Sequence, residues 1–177
     1  MTNFKGMDRL TKKVEKFFAE LGFSEIECFM SNEFAYYSDS EEVSYSIFED
    51  SLSDEGYIKY LHSTYDEIPP CSMFTFSLLH ELGHHITLPT IKKSKRLKVR
   101  KAKKALNRKI RRTAKTAEDI VNFQIVYCKL LDERIATRKA VEILKSNYKI
   151  VKKYDKIFNK EVNLFYKNNN LSELFSA

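Results

Sequence analysis

Apolar positions recur along the chain with two different periods. Leu10, Val14, Phe17, Phe18 and Leu21 stand three and four residues apart among charged neighbours, which predicts an amphipathic helix over 8–21, stopped by Gly22. "SEIECFM" then alternates as a short strand. "AYYS", the polar turn "DSEE" and "VSYSIF" predict a β-hairpin, because aromatic and β-branched residues flank a turn signal. "SDEGYIKYLHSTYDE" fits strand and helix equally well. After the turn "IPPCS", which offers Ser72 as an N-cap, an apolar run predicts a helix over Met73–Thr87. Pro89 supplies no backbone N–H and disfavours helical geometry at Leu88, so the helix is expected to end there.

Further on, Val99, Ala102, Leu106 and Ile110 form a narrow apolar stripe within a very basic stretch. Residues from about Thr116 to Leu144 are expected as one long helix, with Ile120, Phe123, Tyr127, Leu130 and Leu131 on its buried side. The last part predicts another amphipathic helix and then a frayed end. Short strands followed by helices indicate an α+β domain.

Length and composition narrow this picture. A chain of 177 residues with 43% hydrophobic positions is expected to fold as one domain, residues 1–177. Only four glycines and three prolines leave little room for irregular loop. The amino-terminal stretch mixes charge with apolar residues, unlike a signal peptide, and nothing approaches the roughly 20 apolar residues of a membrane span. The expected compartment is the cytosol. Cys28, Cys71 and Cys128 are odd in number and far apart, which fits buried free thiols better than a disulfide framework or a thiolate metal site.

Charge is unevenly distributed. Of the 24 residues from Lys92 to Lys115, 14 are Lys or Arg and none is acidic. Elsewhere 17 basic residues face 24 acidic ones, so the overall +7 conceals an acidic body carrying one basic segment. As a helix that segment would be about 36 Å long. It could attract a nucleic-acid backbone or another polyanion, or dock by its apolar stripe on the acidic body over a cleft. It contains no aromatic residue, so base stacking is not expected.

The chemistry is concentrated in "FTFSLLHELGHHITLP", residues 74–89. Residues four apart on a helix share a face, so His80 and His84 can aim two imidazoles at one metal ion. Glu81 then lies beside the metal, placed to take a proton from the water it activates and pass it to a leaving amine. Gly83 would let another segment approach closely. His85 points about 100° away from His84 and is expected outside the ligand set.

A catalytic zinc needs a third protein ligand. Thr87 and Thr90 exclude the longer pattern that ends in Gly and His, and His62 lies upstream. Downstream carboxylates remain: Glu118, Asp119, Asp132, Glu133, Glu142 and later acids. Glu133 is favoured because Ala136 and Ala140 follow it on one face, giving a surface that packs closely, with Asp132 and Glu118 behind it. His62 and the tyrosines are candidate oxyanion donors.

"FTFSLLHELGHH" followed by "ERIATRKA", residues 133–140, resembles the ImmA/IrrE family of zinc metallopeptidases, in which an F-T-x-A-H-E-L-G-H helix precedes a second helix of the form E-x-x-A-(N/D)-x-F-A. "AYYS…VSYSIF" is similar to the hairpin before the active helix in that family. The resemblance spans roughly residues 25–140. Thr137 stands where the family has Asn or Asp, and Lys139 where it has an aromatic residue. The resemblance implies a small zincin-like domain of gluzincin type, with His80, His84 and Glu133 on Zn2+ and Glu81 as base. The basic segment, about 92–115, would then be a helical insertion between the two ligand-bearing helices. The function expected is a zinc-dependent metallopeptidase acting on an intracellular protein. The alternative is a non-catalytic, zinc-stabilised module of the same shape that binds nucleic acid or another polyanion through the basic segment.

Overall fold

The structure, a computed structural model, describes residues 6–47 and 51–169, the side chains of 51–53 excepted. The end of the second hairpin strand at Phe48 and the frayed end expected past residue 169 lie outside the described residues.

The first helix, α1 (Met7–Glu20), buries Leu10, Val14, Phe17 and Phe18 as their spacing predicts. It ends where Gly22 adopts φ +96° and the Phe23 N–H returns to the Phe18 carbonyl at 2.9 Å, a left-handed cap that glycine forms without strain. Three strands follow: β1 (Glu27–Met30), β2 (Ala35–Tyr37) and β3 (Glu42–Tyr45). They form one sheet of order β1-β3-β2. The predicted hairpin is the antiparallel β2–β3 pair, with Tyr36 opposite Val43, and β1 runs parallel to β3 with Cys28 opposite Val43.

The ambiguous stretch is a helix, α2 (Ser51–Thr64). Burial resolves the ambiguity, since Tyr57, Tyr60 and Leu61 are inward at helical spacing. Helix α3 (Met73–Thr87) begins at the expected cap, where the Ser72 hydroxyl accepts the Thr75 N–H at 3.3 Å. At the far end Leu88 keeps right-handed helical angles, against expectation, and Pro89 falls within a single 3-10 turn, Leu88–Thr90. Proline sits in the first turn of that element, where its missing N–H has no partner to lose.

The basic segment is a helix, α4 (Lys93–Thr113), with no fully buried residue; Val99, Leu106 and Ile110 are half-buried and Ala102 is exposed. The single long helix expected over 116–144 is instead two, α5 (Ala117–Cys128) and α6 (Leu131–Ser146), separated by extended backbone at Leu130. Tertiary packing overrides the local pattern. Helix α5 lies on α2, where a Cβ at Gly56 would come within 2.7 Å of Gln124, while α6 lies on α3. One straight helix could not follow both neighbours. The burial expected on this segment shifts with the break: Val121 and Cys128 are fully buried, whereas Ile120, Phe123, Tyr127, Leu130 and Leu131 are only half-buried.

The last helix, α7 (Tyr148–Asn168), packs Tyr154 and Phe158 on Phe17 of α1, with ring centroids 5.2 and 5.5 Å apart. It also fixes the start of α3. The Asp155 carboxylate accepts hydrogen bonds from the Ser72 N–H at 2.9 Å, the Ser72 hydroxyl at 2.5 Å and the Thr75 hydroxyl at 2.7 Å. A carboxylate is favoured there by the positive end of the helix dipole. Among the described residues, no helix is long and apolar enough to cross a membrane.

Candidate metal centre

The centre is built where α3 and α6 touch backbone to backbone. A Cβ on Gly83 would lie 2.3 Å from the Ala136 carbonyl oxygen and 3.1 Å from its Cα, so only glycine permits this approach. Ala136 and Ala140 are fully buried, and their small side chains let the helix axes come close. That contact brings the first turn of α6 against the middle of α3.

His80, His84 and Glu133 converge there, with one ligand atom from each lying within 4.8 Å of the others. The His80 Nε2 is 3.0 Å from Glu133 Oε2, and the His84 Nε2 is 3.5 Å from Glu133 Oε1. Donors at about 2.05 Å from a tetrahedral zinc stand about 3.3 Å from one another, so these separations suit such an ion. All three residues are at most 8% exposed. The group could hold a metal ion.

Each donor is held in place by its surroundings. The Nδ1 of His80 lies 2.9 Å from the Tyr57 hydroxyl and 3.2 Å from the Thr137 hydroxyl. Those oxygens can accept the Nδ1 proton, leaving the Nε2 lone pair directed at the site. The Tyr57 and Thr137 hydroxyls are themselves 3.1 Å apart, and burial pushes the Tyr57 hydroxyl well above its ordinary pKa, so it stays protonated. For Glu133, burial alone would raise the carboxyl. Hydrogen bonds and electrostatic attraction from the His80 and His84 rings instead hold it, with no ion bound, well below the usual carboxylate range.

Glu81 is buried at the edge of this group and points into the same cleft. Burial, with the neighbouring Glu133 charge, pushes its carboxyl up to about 7 against the opposing pull of His80, Lys103 and a Tyr36 backbone hydrogen bond. With no ion bound, a carboxyl in that range exchanges protons near neutrality.

The remaining carboxylates named from the sequence separate clearly. Asp132 is buried beside Glu133 and accepts the Glu133 N–H through Oδ1 at 2.9 Å. Its other oxygen, Oδ2, lies 2.5 Å from Lys103 Nζ, so Asp132 supports the group from outside it. Glu118 is exposed. Asp119 closes a capping box with Thr116, and Glu142 pairs with Arg138 and Lys139 at 3.2 Å. His85 turns aside as expected, its Nδ1 3.1 Å from the Tyr36 hydroxyl. His62 is exposed near the end of α2 and does not line the cleft.

Two participants carried no usable signal in the sequence. Tyr57 lay in the stretch of undecided structure. Lys103 was one of many similar cations, yet it alone reaches inward to pair with both Asp132 and Glu133 while lying 5.3 Å from the Tyr127 ring. Burial would lower its ammonium, but Glu133, Tyr127 and Asp132 more than offset this and raise it. Helix α4 is thereby docked on α5 and α6, with Lys109 over Phe123 at 5.7 Å as a second point of attachment. The cleft above the three donors has a volume of about 1350 Å³ and is bounded by α3, the hairpin, α4 and α7.

No protein family, curated protein or solved structure matches the chain.

Proposed function

We propose that this protein is a zinc-dependent metallopeptidase of the gluzincin type, with a zincin-like domain similar to ImmA/IrrE peptidases. The observation that carries the reading is the convergence of His80, His84 and Glu133 on one point, with Glu81 buried beside them under an open cleft. Two imidazoles and one carboxylate suit zinc and leave a position free for solvent.

A zinc ion held by these three side chains would supply Lewis acidity, acidifying water and polarising a peptide carbonyl. The chain supplies the rest. The Glu81 carboxylate takes a proton from water in the cleft and delivers it to the departing amide nitrogen. Tyr57 and Thr137 keep the His80 ring in its ligating orientation. The Lys103 ammonium, paired with Asp132 and Glu133, holds the Glu133 carboxylate in place. The retained Glu81 favours an enzyme over a purely structural metal site, which would not need a base next to its ligands. The three unpaired thiols, Cys28, Cys71 and Cys128, are pushed up to about 12 by burial and so stay protonated.

The test is Glu81→Gln in zinc-loaded protein, assayed on a denatured protein substrate with product mass analysis. Zinc content is expected to be unchanged and cleavage to fall at least 100-fold, as expected on loss of a general base, about 10²–10⁴. Cleavage at the wild-type rate, or no cleavage by the zinc-loaded wild type, would overturn the proposal.

A further inference from the structure

Helix α4 presents two different basic faces. Lys93, Arg96, Arg100 and Lys103 recur at three- and four-residue steps and line the cleft, with Leu97 among them. Lys98, Lys101, Lys104 and Arg108 do not line it. On the inner face only Lys103 has a carboxylate partner among the described residues. Lys93, Arg96 and Arg100 have none.

Arg96 is the informative one. Its Nε is buried and has no hydrogen-bond partner. The residue as a whole is half-buried, and a planar guanidinium pairs best with a carboxylate that accepts two of its N–H groups. Leu97, 46% exposed, supplies an apolar patch beside it. The cleft wall thus offers spaced cations with an uncovered apolar contact, directed at the volume over the candidate metal centre. Glu33, Asp39 and Asp54 also line the cleft, so its lining carries both signs of charge.

We propose that the inner face of α4 selects an acidic peptide segment, its carboxylates received by Arg96, Arg100 and Lys93 as the chain lies over the metal centre. This rests on the peptidase reading and names the substrate class for it. A peptide satisfies the wall better than a nucleic acid does. A phosphate backbone is negative along its whole length and would meet Glu33, Asp39 and Asp54 in the same cleft, and α4 has no aromatic residue on which a base could stack. A peptide can place acidic side chains toward α4 and neutral or basic ones away from it.

The experiment measures binding, so it does not depend on turnover. A fluorophore-labelled decapeptide with three glutamates about a central Leu-Phe, and its counterpart with three glutamines, are titrated against zinc-loaded Glu81→Gln by fluorescence anisotropy. The glutamate peptide is expected to bind at least about ten-fold more tightly. Combining Arg96→Gln with Arg100→Gln should bring the ratio near one, whereas Lys98→Gln with Lys104→Gln and Arg108→Gln should leave it largely intact. Equal affinities for the two peptides would overturn the proposal. So would a preference removed by the outer substitutions and not the inner ones, or tighter binding of a 20-nucleotide single strand that displaces the peptide. Selective binding by a wild-type chain that cleaves neither peptide would refute the peptidase reading and leave the selection standing. Cleavage of both peptides at equal kcat/KM would do the reverse.

Discussion

Tyr57 and Glu81 show how single side chains set the chemistry of the centre. Tyr57 holds the His80 ring from behind, so Tyr57→Phe removes one of two hydroxyl partners. Zinc affinity measured by competition with a chelator is expected to weaken about 10–100-fold, the usual effect of losing such a support; unchanged affinity would mean that Thr137 alone suffices. For Glu81, the folded-state carboxyl of the metal-free protein lies at about 7 against an ordinary 4.5. Between those pH values the folded chain keeps a proton that the unfolded chain has released, so stability falls as pH rises through that window. Glu81→Gln removes this contribution. The metal-free variant should therefore exceed wild type by on the order of 3 kcal/mol near pH 8 and match it near pH 4, read from urea unfolding. The same slope in both proteins would show that the carboxyl is not desolvated as described.

At the scale of elements, the approach of α3 to α6 decides whether the donors meet. Gly83→Ala places a Cβ against the Ala136 backbone, which is not a flexible side-chain end and must move as a unit. The expected loss is about 1–3 kcal/mol in urea unfolding, with weaker zinc binding because Glu133 moves with α6. Wild-type stability and metal affinity in this variant would contradict the close contact. Asp155→Ala should cost about 2 kcal/mol through the start of α3, since three donors lose one carboxylate. Much at this scale was legible in the sequence, because α1, α3 and the hairpin each follow from local periods and end signals. The break between α5 and α6 was not. No glycine or proline marks residues 129–130, and the cause lies in α2 and α3, far away in the chain.

The whole molecule combines a basic arm with an acidic body, and both were visible as charge counts. How they join was hidden, because nothing local distinguishes Lys103 from Lys101 or Lys104. Only the fold shows that one of them reaches Asp132 and Glu133 while Arg96 and Arg100 face the cleft. In the same way, spacing identified His80, Glu81 and His84 as a unit, whereas Glu133 stood among several downstream acids until α6 was set against α3. Function at this centre depends on those two helices presenting one ion-binding point. The most direct test is elemental analysis of protein purified without chelator, wild type beside Glu133→Ala and His84→Ala. About one zinc per chain in the wild type is expected, with loss of most of it in either variant. A wild type without bound metal after incubation with zinc, or a Glu133→Ala variant that retains a full equivalent, would contradict the central claim.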